Sequence, residues 1–167
     1  MSGIEDFSGF EVIRAAMEVE KQGHQFYSEV ARLAKSDLAK EVFSWLAQDE
    51  VKHLSTLEKL VPRYQEGAFW EDEEVFLPYL RRFADARIFP SPEAVEAVLD
   101  CEKGDLKALN LAIEAEEKFA EYFEHAAAQA RSDEGKQAFA WLAKEEWGHA
   151  KVLKDRRERL AKMLDGK

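Results

Sequence analysis

SDLAKEVFSWLAQDEVKH (Ser36–His53) and SDEGKQAFAWLAKEEWGH (Ser132–His149) align without a gap at a constant offset of 96 residues. Nine of the eighteen positions are identical, among them Phe43/Phe139, Trp45/Trp141, Glu50/Glu146 and His53/His149. The same offset lays AMEVEKQGHQFY (Ala16–Tyr27) on AIEAEEKFAEYF (Ala112–Phe123), pairing Glu18 with Glu114 and Glu20 with Glu116. The chain is a duplicated unit. Each copy carries a Glu and, about 30 residues later, a Glu-x-x-His.

The repeat reads as helix. On a wheel of about 100° per residue, Ile13, Ala16, Tyr27, Ala31 and Ala34 fall near the direction of Glu20, with Gly23 and His24 flanking it. Glu18 points almost the opposite way, so Glu18 and Glu114 face solvent while Glu20 and Glu116 face inward. Ser8 and Glu11 form a capping-box pattern at the start of the first helix. A second helix from Asp37 to about Tyr64 puts Ala39, Phe43, Leu46, Glu50, His53, Leu57 and Val61 on one face. A third, from about Asp105, turns Leu109, Ala112, Glu116, Ala120 and Phe123 inward. A fourth, from about Asp133, does the same with Phe139, Leu142, Glu146, His149 and Leu153, and its Lys151–Arg159 run suits a helix C-terminal half.

About 40 residues, Gln65–Gly104, separate the two helix pairs. Helices of about 27 residues are about 40 Å long, and a linker of this length returns along them easily. Within it, Glu71–Phe89 is apolar enough to pack as a helical segment, with Pro78 at a start or kink. Ser91-Pro92-Glu93 reads as an N-cap, a proline at the first helical position and a first-turn acid, opening a short helix to about Glu102. The predicted fold is all-α. It is a ferritin-like four-helix bundle of two antiparallel pairs (8–65 and 105–164) joined by a long, partly helical crossover (66–104), in one domain over 1–167.

Composition narrows the setting. The 167 residues are 46% hydrophobic and 35% charged, with only 8 Gly and 4 Pro, which favours a helical globular chain. There is no apolar run long enough to span a bilayer, and the acidic N-terminus MSGIEDFSGFE lacks the apolar core of a signal peptide. The expected location is the cytoplasm. A net charge of −10 argues against nucleic acid or an anionic membrane as partner. One cysteine, Cys101, rules out an internal disulfide and a cysteine metal cluster. It is expected to be a small buried apolar residue.

Glu50/His53 and Glu146/His149 are i,i+3 pairs, each sharing a helix face. With Glu20 and Glu116 they place four carboxylates in one core, where unpaired charge costs several kcal/mol per ion. Two divalent cations neutralise four carboxylates, and two neutral imidazoles complete the donor set. Mixed carboxylate and imidazole ligands suit iron or manganese. A single Glu-x-x-His is weak as a motif. A duplicated one with a matched inward Glu in each copy is much more specific, and an apolar stripe around it does not suit acids in surface ion pairs.

With Glu20, Gly23, Phe26-Tyr27, Glu50-x-x-His53 and the second copy in view, the chain resembles the rubrerythrin-type di-iron carboxylate proteins of the ferritin-like superfamily, over both repeat units. The resemblance implies that Glu20 and Glu116 are terminal or bridging ligands, that Glu50 and Glu146 bridge the metals, and that His53 and His149 bind one each. It implies two iron ions, with manganese or a mixed iron–manganese pair as alternatives. It also implies an oxidoreductase that reduces peroxide or dioxygen; the alternative is a ferroxidase or iron-handling protein without small-molecule turnover. The chain departs from full rubrerythrins in two ways. It lacks the Cys-x-x-Cys pairs of a rubredoxin domain, so an electron donor must be a separate protein. Phe119 stands where rubrerythrins carry an extra glutamate, which makes the ligand set more symmetric.

Other residues complete the reading. His24, whose repeat partner is Ala120, and Tyr27 are candidates for the surroundings of the site. His125 points outward. Trp45 and Trp141 lie about 140° from their glutamates on the wheel. They are expected either under the crossover or at a contact of a homodimer or larger homo-oligomer.

Overall fold

The computed structural model describes residues 9–64 and 87–166. Helix α1 spans Gly9–Leu33, α2 Asp37–Leu60, α3 Pro92–Leu99, α4 Gly104–Gln129 and α5 Asp133–Asp165. The described residues contain no strand. The all-α, ferritin-like expectation holds.

The helix starts follow the sequence signals. Ser36, Ser91 and Ser132 are N-caps whose side chains accept from the amides of Ala39, Ala94 and Gly135, at 3.1, 3.3 and 3.0 Å. Each satisfies one amide that the helix leaves without a partner. Helix α2 ends at Leu60, short of the expected Tyr64, and continues as a 3-10 turn over Val61–Tyr64. Pro62 has no amide to carry the α-helical ladder further. Helix α3 ends at Leu99 rather than Glu102, because Lys103 turns the chain through a left-handed conformation (φ 56°) into α4. Gly104 follows so tightly that a Cβ there would sit 2.7 Å from the carbonyl oxygens of Val98 and Leu99. The predicted Ser8 cap lies outside the described residues. So does most of the expected helical segment Glu71–Phe89, whose visible end, 87–89, is not helical.

Helix α1 packs along α2, α4 packs along α5, and α3 bridges α1 and α4. The inward sets are buried as expected: Ile13, Ala16, Tyr27 and Ala34 on α1, Phe43, Leu46 and Leu57 on α2, Leu109, Ala112 and Phe123 on α4, and Phe139, Leu142 and Leu153 on α5. Glu18 and Glu114 are exposed. The two halves are tied near one end by Asp105, whose carboxylate accepts from the amides of Lys35 and Ser36 in the α1–α2 turn, at 2.8 Å for Ser36.

Cys101 corrects an expectation. It is exposed, at the mouth of the α3–α4 turn, with its Sγ 3.3 Å from the Ala97 carbonyl oxygen. The turn that ends α3 carries the side chain out of the apolar face formed by Val95 and Leu99.

Candidate metal centre

Each of the four long helices sends one carboxylate to the same place. Glu20, Glu50, Glu116 and Glu146, with His53 and His149, are at most 1% exposed. The Nδ1 atom of His53 lies 2.7 Å from Glu146 Oε1, 3.6 Å from Glu20 Oε1 and 3.9 Å from Glu50 Oε2. His149 mirrors it: its Nδ1 lies 3.2 Å from Glu146 Oε2, 3.3 Å from Glu116 Oε1 and 3.5 Å from Glu50 Oε1. The imidazoles stack at 5.1 Å with an interplanar angle of 15°. One ligand atom each from Glu50, His53, Glu146 and His149 lies within 4.8 Å of the others, close enough to hold a metal ion.

Burial and like charge push the Glu20 pKa well above the ordinary carboxylate range, desolvation first and then the charges of Glu50 and Glu146. Glu146 is raised too, by burial and then by Glu116. Burial works against charging both histidines. The neighbouring carboxylates, Glu146 beside His53 and Glu116 beside His149, override it and raise both.

The hydrogen-bond inventory makes the same point from another side. Among the described residues, the buried side-chain nitrogens and oxygens with no hydrogen-bond partner are both oxygens of Glu20, Glu50 and Glu146, one of Glu116, and both nitrogens of His53. All belong to the predicted ligand residues. His53 Nδ1 and Glu146 Oε1 approach to 2.7 Å but make no hydrogen bond. Native interiors rarely leave such groups unpaired, and carboxylate oxygens with imidazole nitrogens at this spacing are compatible with a metal site.

A family model of the rubrerythrins matches residues 11–156. The chain belongs to the rubrerythrin family. The match covers both repeat units and the segment between them. No curated protein and no solved structure matches at a significant level. As a member of the rubrerythrin family, the chain carries a buried carboxylate and histidine cluster compatible with a di-iron site. No described helix is long and apolar enough to cross a membrane.

The surroundings divide the other expectations. Tyr27 is buried and donates a hydrogen bond from its phenol to Glu116 Oε1. Burial and then the Glu116 charge raise its pKa well above the usual phenol value, so it stays protonated. His24 goes elsewhere: it is exposed, and its Nδ1 lies 2.9 Å from the Ala47 carbonyl oxygen on α2. His125 is exposed as expected. Trp45 and Trp141 are 44% and 43% exposed. Each sets its ring against the histidine of the other repeat: Trp45 on His149 at 5.5 Å and Trp141 on His53 at 5.7 Å, both edge to face.

Two acids behind the histidines escaped the sequence reading. Asp49 Oδ2 lies 2.6 Å from His149 Nε2 and 3.7 Å from His53 Nε2. Glu145, its repeat partner, joins Asp49 and both histidines in a second group whose ligand atoms lie within 4.8 Å of one another. The hydrogen bond from His149, with further help from the charges around it, holds the Asp49 pKa below the usual value despite partial burial. A signal was available: Asp49 stands one helical turn before His53, and the acid is repeated at Glu145.

Proposed function

We propose that this rubrerythrin-family protein is a di-iron oxidoreductase that reduces peroxide or dioxygen, drawing electrons from a separate donor protein. The observation that carries the reading is that the unpaired buried polar atoms converge from the residues of one predicted ligand set. Glu20, Glu50, Glu116 and Glu146, one from each long helix, would hold the metal pair, with His53 and His149 through Nδ1. Bound there, the two ions would supply the redox chemistry and a clamp for both oxygens of a small oxidant.

The chain's own residues do the rest. Asp49 accepts a hydrogen bond from the Nε2–H of His149, on the side of the ring away from the cluster. Tyr27 fixes one oxygen of Glu116 and keeps a proton beside it. The buried Phe89 ring and the Glu50 carboxyl carbon both lie beside Gly23, 3.0 and 3.5 Å from where a Cβ there would stand.

Anaerobic loading with iron(II), then separate challenges with peroxide and dioxygen watched by absorbance, tests the reading. Two irons per chain, oxidised faster by peroxide and cycled by an added reductant, is the expected result. Oxidation by dioxygen with growth of a mineral core in a high-mass assembly would favour iron handling instead. Iron well under one per chain, with none loadable, would sink both. In Glu50→Ala and Glu146→Ala, retention of both ions would refute the ligand assignment.

A further inference from the structure

The di-metal reading uses only the Nδ1 side of the two imidazoles. Their Nε2 atoms face the opposite way, toward Asp49 and Glu145 at the α2–α5 seam. This outer set obeys the same repeat as the inner one, since Asp49 and Glu145 are related by the offset that relates His53 and His149. It brings two further carboxylates, with Lys52 Nζ 3.5 Å from Asp49 Oδ1 and itself well exposed. His53 Nε2 has no hydrogen-bond partner, although its side chain is 1% exposed and Asp49 Oδ2 stands 3.7 Å away. A buried imidazole nitrogen aimed into a pair of carboxylates without closing a hydrogen bond is a donor set with room for an ion.

Its position matters as much as its chemistry. The inner carboxylates are sealed, whereas the Asp49 side chain is 13% exposed and Glu145 is half-buried. A cation arriving from water at this seam meets the outer acids first. The two imidazoles are the layer common to both sets, so an ion held on the outside is one side chain's breadth from the inner oxygens.

We propose that Asp49 and Glu145, with the Nε2 atoms of His53 and His149, form an outer divalent-cation site from which the inner cluster is loaded. The inference rests on the di-metal reading of that inner cluster. Carboxylate and imidazole donors select iron(II), manganese(II), cobalt(II) or zinc(II) over calcium or magnesium. The competing role for the same acids is to orient the imidazoles and nothing more.

Cobalt(II) uptake by the metal-free full chain separates the two. Wild-type protein and the isosteric double variant Asp49→Asn/Glu145→Gln are mixed with cobalt(II) under nitrogen, and loading is followed by stopped-flow absorbance with native mass at the end. Capture before transfer predicts a wild-type rate that levels off as cobalt(II) rises. The variant rate stays linear in cobalt(II) and is slower by about tenfold or more, the scale on which local charge speeds association. Both proteins finish with two ions per chain. Equal rates with the same concentration dependence would overturn the outer site alone. A variant that ends with fewer than two ions would also overturn it, because the acids would then be shown to hold the ligands rather than the incoming ion. A wild-type protein that takes up no cobalt(II) would overturn this site and the di-metal reading together.

Discussion

Phe89 covers Gly23: two carbons of its ring lie 3.0 and 3.1 Å from where a Cβ on Gly23 would stand. Its ring meets Phe26 at 5.8 Å and Tyr27 at 5.4 Å. In the other repeat, position 119 is phenylalanine instead of glycine, and Phe119 meets the equivalent residues, Tyr122 at 6.1 Å and Phe123 at 4.3 Å. The linker ring thus fills in the first repeat the place that the second fills from within its own helix. Gly23→Ala should gain about 1 kcal/mol of helix propensity and lose about 1–3 kcal/mol to overpacking against Phe89. In a Phe89→Ala background the loss disappears and the same change should stabilise. Urea unfolding of the four proteins should give a coupling of about 1 kcal/mol or more; additive effects would show that the two residues do not compete for one space.

Glu20 has no hydrogen-bond partner for either carboxylate oxygen and is 1% exposed. Such a group is a burden on the metal-free fold, because burial and the neighbouring Glu50 and Glu146 oppose its ionised form. Glu20→Gln should therefore melt higher than wild type without metal and lower than wild type after incubation with iron(II). Calorimetry on both states checks the crossing of the two curves. A variant less stable than wild type in both states would contradict it.

Acid should affect the metal-free and metal-loaded proteins in opposite directions. The folded-state pKa values of Glu20, Glu146, His53 and His149 are all raised. The metal-free native state then binds more protons than the unfolded chain above the ordinary carboxylate and histidine values, so its stability falls as pH rises. Between about pH 5 and pH 8 it should lose about 1.4 kcal/mol per pH unit for each whole proton of difference. The contribution from Asp49, whose pKa is lowered, is lost only at lower pH, as acid titrates it. In the loaded protein, protons compete with the metal for the same atoms, and acid should destabilise. Melting temperatures across this range, with and without cobalt(II), test the sign; parallel slopes would count against the cluster as the ion's seat.

Tyr27→Phe removes the phenol that donates to Glu116 and leaves a ring that the equivalent position already tolerates as Phe123. The expected loss is about 1.5–3 kcal/mol, the scale of a hydrogen bond to a charged group. Two metal ions should still bind by native mass. Loss of the ions would show that the phenol organises the ligand set rather than one oxygen of it.

Much of this was legible because helical periodicity and the repeat agree. The serines at 36, 91 and 132 each announce a helix start that the backbone adopts. The apolar stripes assign Glu20 and Glu116 inward and Glu18 and Glu114 outward, as their burial shows. Periodicity reports the direction of a side chain within its own helix, however, and is blind to contacts between helices. Asp49 and Glu145 come beside the two histidines only when α2 and α5 are set side by side. Trp45 and Trp141, off their own helices' core stripes, find the opposite repeat's histidine. Phe89 belongs to an irregular stretch with no period to read. Cys101 fails for a related reason: a turn, not a helix, sets its direction.

Asp105 makes the two repeats unequal partners in folding. Its carboxylate closes the amides of Lys35 and Ser36 in the first repeat's turn, while the residue at the equivalent place in the first copy is Gly9, which has no side chain to return the favour. A severed N-terminal half would leave those two donors open, and a severed C-terminal half would present a carboxylate with nothing to receive. The tie couples the two halves, so the chain should unfold in a single cooperative transition rather than one repeat at a time.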